Sequence, residues 1–280
     1  MTAGVKEATA ARSAGDALRI GGLELGSRLI HGTGKFSNNE VLRRCLEAAR
    51  PDLVTVAVRR LGLDAGSSEL DDVDLSAYKL LPNTAGATTV EQALRLARLG
   101  RAAGLSDCVK VEVIGDEETL LPDPGATLEA TRQLVSEGFI VMAYTSDDVV
   151  QAVRLHQAGA AAVMPLGAPI GTTLGILNPT NIRLIIKKLA CPVIVDAGLG
   201  VPSDAARCME WGAAGVLVNT AIARATDPPL MAAAFAEAVA AGRKAFLAGR
   251  AEIGLSALAA SHHGNDISAI PSSPTQGIPA

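Results

Sequence analysis

The residues with the clearest chemical potential are a lysine and a glutamate two positions apart in an otherwise apolar segment. Cys108–Ile114 reads Cys-Val-Lys-Val-Glu-Val-Ile. Because side chains alternate between the two faces of a strand, the valines share one face and leave Lys110 and Glu112 together on the other. An amine that is partly removed from water has a lowered pKa and can attack a carbonyl to form an imine at neutral pH. The segment therefore predicts a nucleophilic lysine with an acid or base beside it.

The same alternation brings a second carboxylate into the predicted interior. Val193 and Val195 share the outward face, which leaves Asp196 inward at the carboxyl end of its segment. Three further polar side chains are directed inward in the same way, namely Arg59, Tyr144 and Asn219. A structural alternative stays open, since Lys110 and Glu112 could form only an ion pair. Burial of an unpaired lysine costs several kcal/mol, so the functional interpretation is favoured.

Short apolar runs must position these residues, and they alternate along the chain with amphipathic segments of helical length. This pattern is typical of parallel strands joined by helices. The eight runs are Arg28–His31, Leu53–Val58, Lys79–Pro82, Cys108–Ile114, Phe139–Tyr144, Ala160–Pro165, Pro192–Asp196 and Gly215–Asn219. Eight strands at this spacing predict an α/β fold of the closed (β/α)8 TIM barrel type.

The ends of several helices are marked, and so is one hairpin. Thr88-Thr89-Val90-Glu91 predicts a capping box. Further helices begin at Asn178-Pro179 and at Pro202-Ser203-Asp204, and glycines end others at Gly104, Gly138, Gly159 and Gly212. Leu18–Leu25, with Gly21-Gly22 in the turn, predicts a short hairpin over the amino-terminal end of the barrel.

Composition limits the classes of partner. Of the 280 residues, 49% are hydrophobic, which suffices for a large core, and the formal net charge is -4. Neither this charge nor an aromatic content of 2% fits a nucleic-acid or anionic-membrane surface. The four cysteines and four histidines lack the spacing of metal ligands, so we expect buried thiols, no metal and no cofactor.

One folded domain is expected between two low-order ends. We place a disordered extension at residues 1–16, the barrel at residues 17–252 and a flexible tail at residues 253–280. No signal sequence and no apolar run of about 18 residues is evident, so the expected location is the cytoplasm.

Glycine-rich loops after the last three predicted strands indicate a phosphate site. They are residues 167–173, 197–204 and 219–221. Barrels bind phosphate at this position because glycines let the backbone approach the anion and free amides at a helix start donate to it. A phosphorylated substrate is therefore expected.

Another glycine-rich segment, Gly32-Thr33-Gly34-Lys35, contains part of a P-loop pattern. It lacks the four-residue spacer and the terminal Gly-Lys-Ser/Thr, so ATP binding is not expected. We interpret it as the loop after the first barrel strand, lining the mouth.

Several of these segments together resemble bacterial thiazole synthase, the enzyme that forms the thiazole phosphate half of thiamine. The resemblance extends from about Leu18 to about Arg250. The segments that carry it are Gly32–Lys35, Leu80–Gly86, Val109–Asp116, Leu120–Pro124, Met164–Gly171, Val195–Gly198 and Val218–Ile222. Thr172-Thr173-Leu174 departs from the small, polar stretch usual in the family, which leaves the contacts of that loop open.

The resemblance implies a sulfur-transferring enzyme with three co-reactants. These are 1-deoxy-D-xylulose 5-phosphate, dehydroglycine and the thiocarboxylate of a small sulfur-carrier protein. Lys110 would form a Schiff base with the sugar phosphate, and Glu112 and Asp196 would carry protons. The substrate, and its phosphate especially, would be held by Gly171, Ala197, Gly198, Asn219 and Thr220. Family behaviour also implies a homo-oligomer.

Two other hypotheses stay open at this point. The first is a different phosphate-binding barrel, either a lysine-dependent aldolase or an FMN oxidoreductase, because the glycine pattern after strands seven and eight is widespread. The second is a catalytically silent barrel that only binds a phosphate or a partner, with Lys110 and Glu112 as a structural pair.

Overall fold

A computed structural model of the chain describes residues 16–60 and 73–251. The chain divides after Leu247 into two units, and the second is described only at residues 248–251. Of the predicted extension at residues 1–16, Asp16 alone is among the described residues. The predicted tail at residues 253–280 lies wholly outside them.

Eight parallel strands form one sheet in the described part of the chain. All strands, in chain order, are β1 (Leu18–Ile20), β2 (Leu23–Leu25), β3 (Leu29–Gly32), β4 (Leu53–Ala57), β5 (Lys79–Asn83), β6 (Cys108–Val111), β7 (Ile114–Asp116), β8 (Leu121–Pro122), β9 (Ile140–Thr145), β10 (Ala162–Pro165), β11 (Ile194–Val195) and β12 (Gly215–Val218). The sheet has the order β10-β9-β6-β5-β4-β3-β12-β11. Parallel bridges Val163–Val193 and Leu166–Asp196 join its two edges, which confirms the TIM barrel.

Helices connect the strands and cover the outside of the barrel. In chain order they are α1 (Asn39–Ala49), α2 (Val90–Ala102), α3 (Pro124–Ser136), α4 (Val149–Gln157), α5 (Pro179–Lys188), α6 (Pro202–Glu210), α7 (Thr220–Ala223) and α8 (Pro228–Ala248). None of the helices in the described ranges is long and apolar enough to cross a membrane.

The predicted helix ends are confirmed with one shift. Asn178 caps α5 through its side chain, with Pro179 in the first turn. At α2 the cap is Thr89, which accepts from the amide of Gln92, while the Gln92 side chain accepts from the amide of Thr88. The capping residues are thus one position later than Thr88 and Glu91. The four glycines predicted after helices all have positive φ: Gly104, Gly138, Gly159 and Gly212.

Alternation along the strands separates two apolar layers. The valines of the lysine segment, Val109, Val111 and Val113, pack outward among helix residues such as Ala97 and Leu134. Inward residues near the amino-terminal ends of the strands form a separate apolar layer with the β1–β2 hairpin: Leu18, Ile20, Leu25, Ile30, Leu53, Leu81, Met142 and Leu217. The hairpin therefore closes this end as expected, and polar side chains are left at the other.

The sequence predicts one strand over Cys108–Ile114, and this prediction is wrong at its carboxyl end. Strand β6 ends at Val111, and β7 turns away to pair antiparallel with β8. The physical reason lies in the partners of the backbone: the carbonyl of Val113 accepts from Asp123, and the amide of Ile114 donates to Ala87. These loop contacts replace the ladder of the barrel.

Candidate active site

A cavity of about 240 Å³ lies at the carboxyl ends of the barrel strands. All eight residues predicted for the site line it: Lys110, Glu112, Gly171, Asp196, Ala197, Gly198, Asn219 and Thr220. The loop Gly32-Thr33-Gly34-Lys35 also lines it, as expected for the loop after β3. The barrel thus brings together residues from distant parts of the chain.

Lys110 lies between two carboxylates at the bottom of this cavity. Its Nζ is 2.6 Å from Asp196 Oδ2 and 3.5 Å from Glu112 Oε2. All three residues are buried, with 6%, 5% and 2% of Lys110, Glu112 and Asp196 exposed. Lys110 lies in β6, Glu112 directly follows β6, and Asp196 directly follows β11. A cation flanked by two acids can exchange its proton without reaching bulk water.

The pKa of Lys110 differs from the expectation of a lowered value. Burial acts to lower it, but the charges of Asp196 and Glu112 together outweigh burial, so the pKa lies above its ordinary value of 10.5. The lysine is therefore an ammonium while both carboxylates face it. Before it can attack a carbonyl, it must pass a proton to a neighbour.

The pKa of Glu112 is also raised, but here burial is the main cause. Burial raises the pKa of Glu112 above its ordinary value; the charge of Lys110 opposes this, and that of Asp196 adds to it. A carboxyl with a raised pKa beside an amine is suited to donate a proton.

Tyr144 points into the barrel as predicted, and it is fully buried. The centre of its ring is 5.1 Å from Lys110 Nζ, close enough for a cation–π contact. Burial raises the pKa of its hydroxyl, and the charges of Asp196 and Glu112 raise it further, so Tyr144 stays neutral. It helps to hold the ammonium in place.

The prediction that Arg59 points into the barrel is wrong. Strand β4 ends at Ala57, and Arg59 lies exposed in the 3-10 turn Val58–Arg60 that follows. Its guanidinium lies against Gly86, where even a methyl group would overlap it. The alternation of a strand cannot be extended beyond the strand's end.

Thr84 is a buried residue of the site that the sequence pattern did not reveal. Its hydroxyl donates to the carbonyl of Glu112 at 2.7 Å and accepts from the amide of Glu112 at 2.9 Å. Its own amide donates to the carbonyl of Lys110 at 3.1 Å. Thr84 therefore fixes the backbone at the point where β6 ends.

Replacing Thr84 by valine should loosen this point, because valine keeps the shape but leaves a buried amide and carbonyl of Glu112 without partners. We expect a loss of about 1–3 kcal/mol in the free energy of unfolding, measured by urea denaturation. The matched control is Thr84→Ser, which retains the hydroxyl. Equal stability of the valine and serine variants would contradict the role of the hydroxyl.

The loop after β11 approaches the loop after β10 closely. Ala197 and Gly198 both have positive φ, 51° and 75°. A methyl group on Gly198 would overlap the backbone of Ala168, so only glycine fits there. The carboxylate of Asp204 accepts from the amides of Gly200 and Val201, which folds the loop back onto the start of α6.

Neither a metal centre nor a reactive thiol is evident in the described residues. No group of three or more His, Cys, Asp or Glu residues there could hold a metal ion. Cys45, Cys108 and Cys208 are buried and Cys191 is half-buried, all as free thiols. Burial raises the pKa of Cys45 and Cys108, to about 11 and about 12, which makes them poor nucleophiles.

Comparison with known proteins relates this site to a family. A family model described as thiazole biosynthesis protein ThiG matches residues 19–262. The chain belongs to the thiazole synthase family. The resemblance drawn from the sequence is thereby confirmed, and membership in the thiazole synthase family makes the chain an enzyme of thiamine biosynthesis.

Two curated relatives in the thiazole synthase family are similar over nearly the whole barrel. The thiazole synthase of Thermodesulfovibrio yellowstonii is 57% identical over 237 residues, which cover 84% of this chain and 92% of that protein. The thiazole synthase of Solibacter usitatus is 56% identical over 238 residues, covering 84% and 92%.

A solved structure also matches the fold. It is a chain from the crystal structure of the Amycolatopsis orientalis BexX/CysO complex, with a TM-score of 0.76 and 34% sequence identity. The match covers 85% of this chain and 98% of that chain. Together with the family model, it favours thiazole synthase over the aldolase, flavin and silent-barrel hypotheses.

Proposed function

We propose that the chain forms thiazole phosphate from 1-deoxy-D-xylulose 5-phosphate, dehydroglycine and sulfur from a thiocarboxylated sulfur-carrier protein, through a Schiff base on Lys110. One observation carries this proposal: a buried lysine lies 2.6 Å from one carboxylate and 3.5 Å from another, in a cavity lined by glycine-rich loops. Imine chemistry requires an amine, a proton acceptor and a proton donor within reach of one carbonyl.

The first step is transfer of a proton from Lys110 to Asp196, the nearer carboxylate. The neutral amine then adds to the C2 carbonyl of the sugar and forms a carbinolamine. Loss of its hydroxyl as water requires a proton, and Glu112, whose pKa is raised, is suited to donate it. The product is the iminium between Lys110 and the sugar.

The second step moves the carbonyl along the sugar chain. The iminium withdraws electrons from C3, so a carboxylate can remove the C3 proton and leave an enamine. Proton transfer at the neighbouring positions then places the carbonyl at C3. Asp196 and Glu112, which follow two different strands of the barrel, both approach Lys110 Nζ, which lets one act as base and the other as acid.

The phosphate is held by the loops after β10, β11 and β12. Gly171, Ala197, Gly198, Asn219 and Thr220 contribute to this site, and all line the cavity with Lys110. Asp196 Oδ1 accepts from the amide of Ala197 at 2.7 Å, so the base and the phosphate loop are joined directly. Binding of the phosphate therefore orients the sugar carbonyl toward Lys110.

A protein partner and self-association complete the proposal. The structural similarity to a chain crystallised as a BexX/CysO complex supports delivery of sulfur by a partner protein. We further propose a cytoplasmic homo-oligomer in which residues 17–252 form the catalytic domain and residues 1–16 and 253–280 are accessory ends.

Reduction with borohydride tests this proposal. Incubation of the full chain with 1-deoxy-D-xylulose 5-phosphate followed by borohydride should give a stable adduct of one sugar phosphate in the intact mass. Omission of borohydride is the control, because the unreduced imine hydrolyses during analysis. An unchanged mass at sugar concentrations that saturate binding would overturn the Schiff-base mechanism.

A further inference from the structure

Lys35 ends the glycine-rich loop that follows β3, and it lines the cavity on the side of the proposed phosphate site. A methyl group built on Gly171 would come within 3.0 Å of Lys35 Nζ. The ammonium therefore lies directly over Gly171, one of the residues proposed to hold the phosphate. The sequence places this loop at the mouth of the barrel, and the proposed mechanism makes no use of Lys35.

The charges of the side chains that line the cavity favour a role for Lys35 in binding an anion. Among the described residues that line it, the cationic side chains are Lys35 and Lys110, and the acidic ones are Glu112 and Asp196. Lys110 is paired with the two carboxylates, and the three together carry one net negative charge when ionised. This net charge repels a phosphate dianion, and a positive charge beside the phosphate offsets the repulsion.

Backbone amides of the loop after β11 offer less compensation than the glycine pattern indicates. The amide of Ala197 donates to Asp196, and those of Gly200 and Val201 donate to Asp204. Three donors that could face an anion are thus already bonded to carboxylates. A charged donor beside the remaining amides would hold a dianion more strongly than those amides alone.

The backbone of Lys35 also indicates a constrained position. Its φ is 70°, in the left-handed region where glycine is favoured and a lysine is disfavoured. From this backbone position the Lys35 side chain extends to Gly171.

We infer that Lys35 is the phosphate-binding cation of the site and that it makes the enzyme prefer phosphorylated over free sugars. This inference rests on the proposed function, because it assumes that a sugar phosphate occupies the cavity. Lys35 acts on binding and orientation, while Lys110 forms the bond.

The variant Lys35→Met tests this inference, since methionine keeps an unbranched side chain on the same backbone and removes the charge. We expect the half-saturating concentration of 1-deoxy-D-xylulose 5-phosphate for adduct formation to rise roughly 10- to 100-fold, with little change at saturation. Lys35→Arg should restore most of the affinity. Unphosphorylated 1-deoxy-D-xylulose should react equally with wild type and Lys35→Met.

A matched control is Lys188→Met, which removes the same charge from an exposed position in the last turn of α5, at the other end of the barrel. It should leave the half-saturating concentration unchanged. If Lys35→Met and Lys188→Met give the same half-saturating concentration, the inference is wrong.

Direct titration with inorganic phosphate separates this inference from the proposed function. Calorimetry of the full chain needs no imine, and Lys35→Met should bind phosphate roughly 10- to 100-fold more weakly than wild type. Wild type that binds phosphate but forms no sugar adduct would overturn the Schiff base alone. Equal phosphate affinity of wild type and Lys35→Met would overturn the role of Lys35 alone.

Discussion

Replacing Lys110 by arginine should abolish the adduct with 1-deoxy-D-xylulose 5-phosphate while leaving the barrel folded. A guanidinium has a pKa above about 12 and does not become a neutral nucleophile at neutral pH. It nevertheless supplies a cation between Asp196 and Glu112, which are buried. We expect thiazole formation to fall by roughly 10³-fold or more, measured as product formed per enzyme under saturating co-reactants.

Arginine is the informative replacement because alanine would confuse chemistry with folding. Lys110→Ala leaves two buried carboxylates without their cation, which costs about 3–5 kcal/mol. Circular dichroism and urea unfolding of Lys110→Arg serve as the folding controls. An arginine variant that still accumulates the reduced adduct would show that the Schiff base forms elsewhere.

Replacing Asp196 by asparagine should change the pH dependence of adduct formation. In the wild type, the charges of Asp196 and Glu112 hold the pKa of Lys110 above 10.5 against burial, so the fraction of neutral amine rises with pH throughout the neutral range. Without the charge of Asp196, burial is opposed only by Glu112, and the pKa of Lys110 falls. Adduct formation should therefore reach half of its maximum at a lower pH.

The same substitution should slow the later proton transfers. Loss of a carboxylate that accepts and returns protons costs about 10²- to 10⁴-fold in turnover. The measurements are the amount of trapped adduct and the rate of thiazole formation, each followed from about pH 6 to about pH 11.5. Asp107→Asn is the matched control, because its side chain is 72% exposed at the start of β6. A pH profile like that of wild type would contradict the coupling between Asp196 and Lys110.

The sequence was sufficient to predict the barrel and the central trio. Strand alternation is a local property, so Val109 and Val111 in Cys108–Ile114 already showed which side chains point inward. Because the carboxyl ends of all barrel strands meet at one face, inward residues of different strands had to share a cavity. Lys110 and Asp196 therefore could be brought together without knowing any loop.

Loop residues and electrostatics could not be predicted in the same way. The contact of Thr84 with Glu112 and the approach of Lys35 to Gly171 depend on loop conformations that no periodic pattern records. The pKa of Lys110 was expected to be lowered, because the sequence indicated burial but not a carboxylate at 2.6 Å. Distances decide whether burial or charge prevails, and only the folded chain provides them.

Identification of the modified residue tests the central claim most directly. After incubation with 1-deoxy-D-xylulose 5-phosphate and reduction with borohydride, the protein is digested and its peptides are sequenced by tandem mass spectrometry. The adduct should be found on Lys110, the lysine paired with Asp196 and Glu112. An adduct on another lysine, such as Lys35, with Lys110 unmodified would contradict the account.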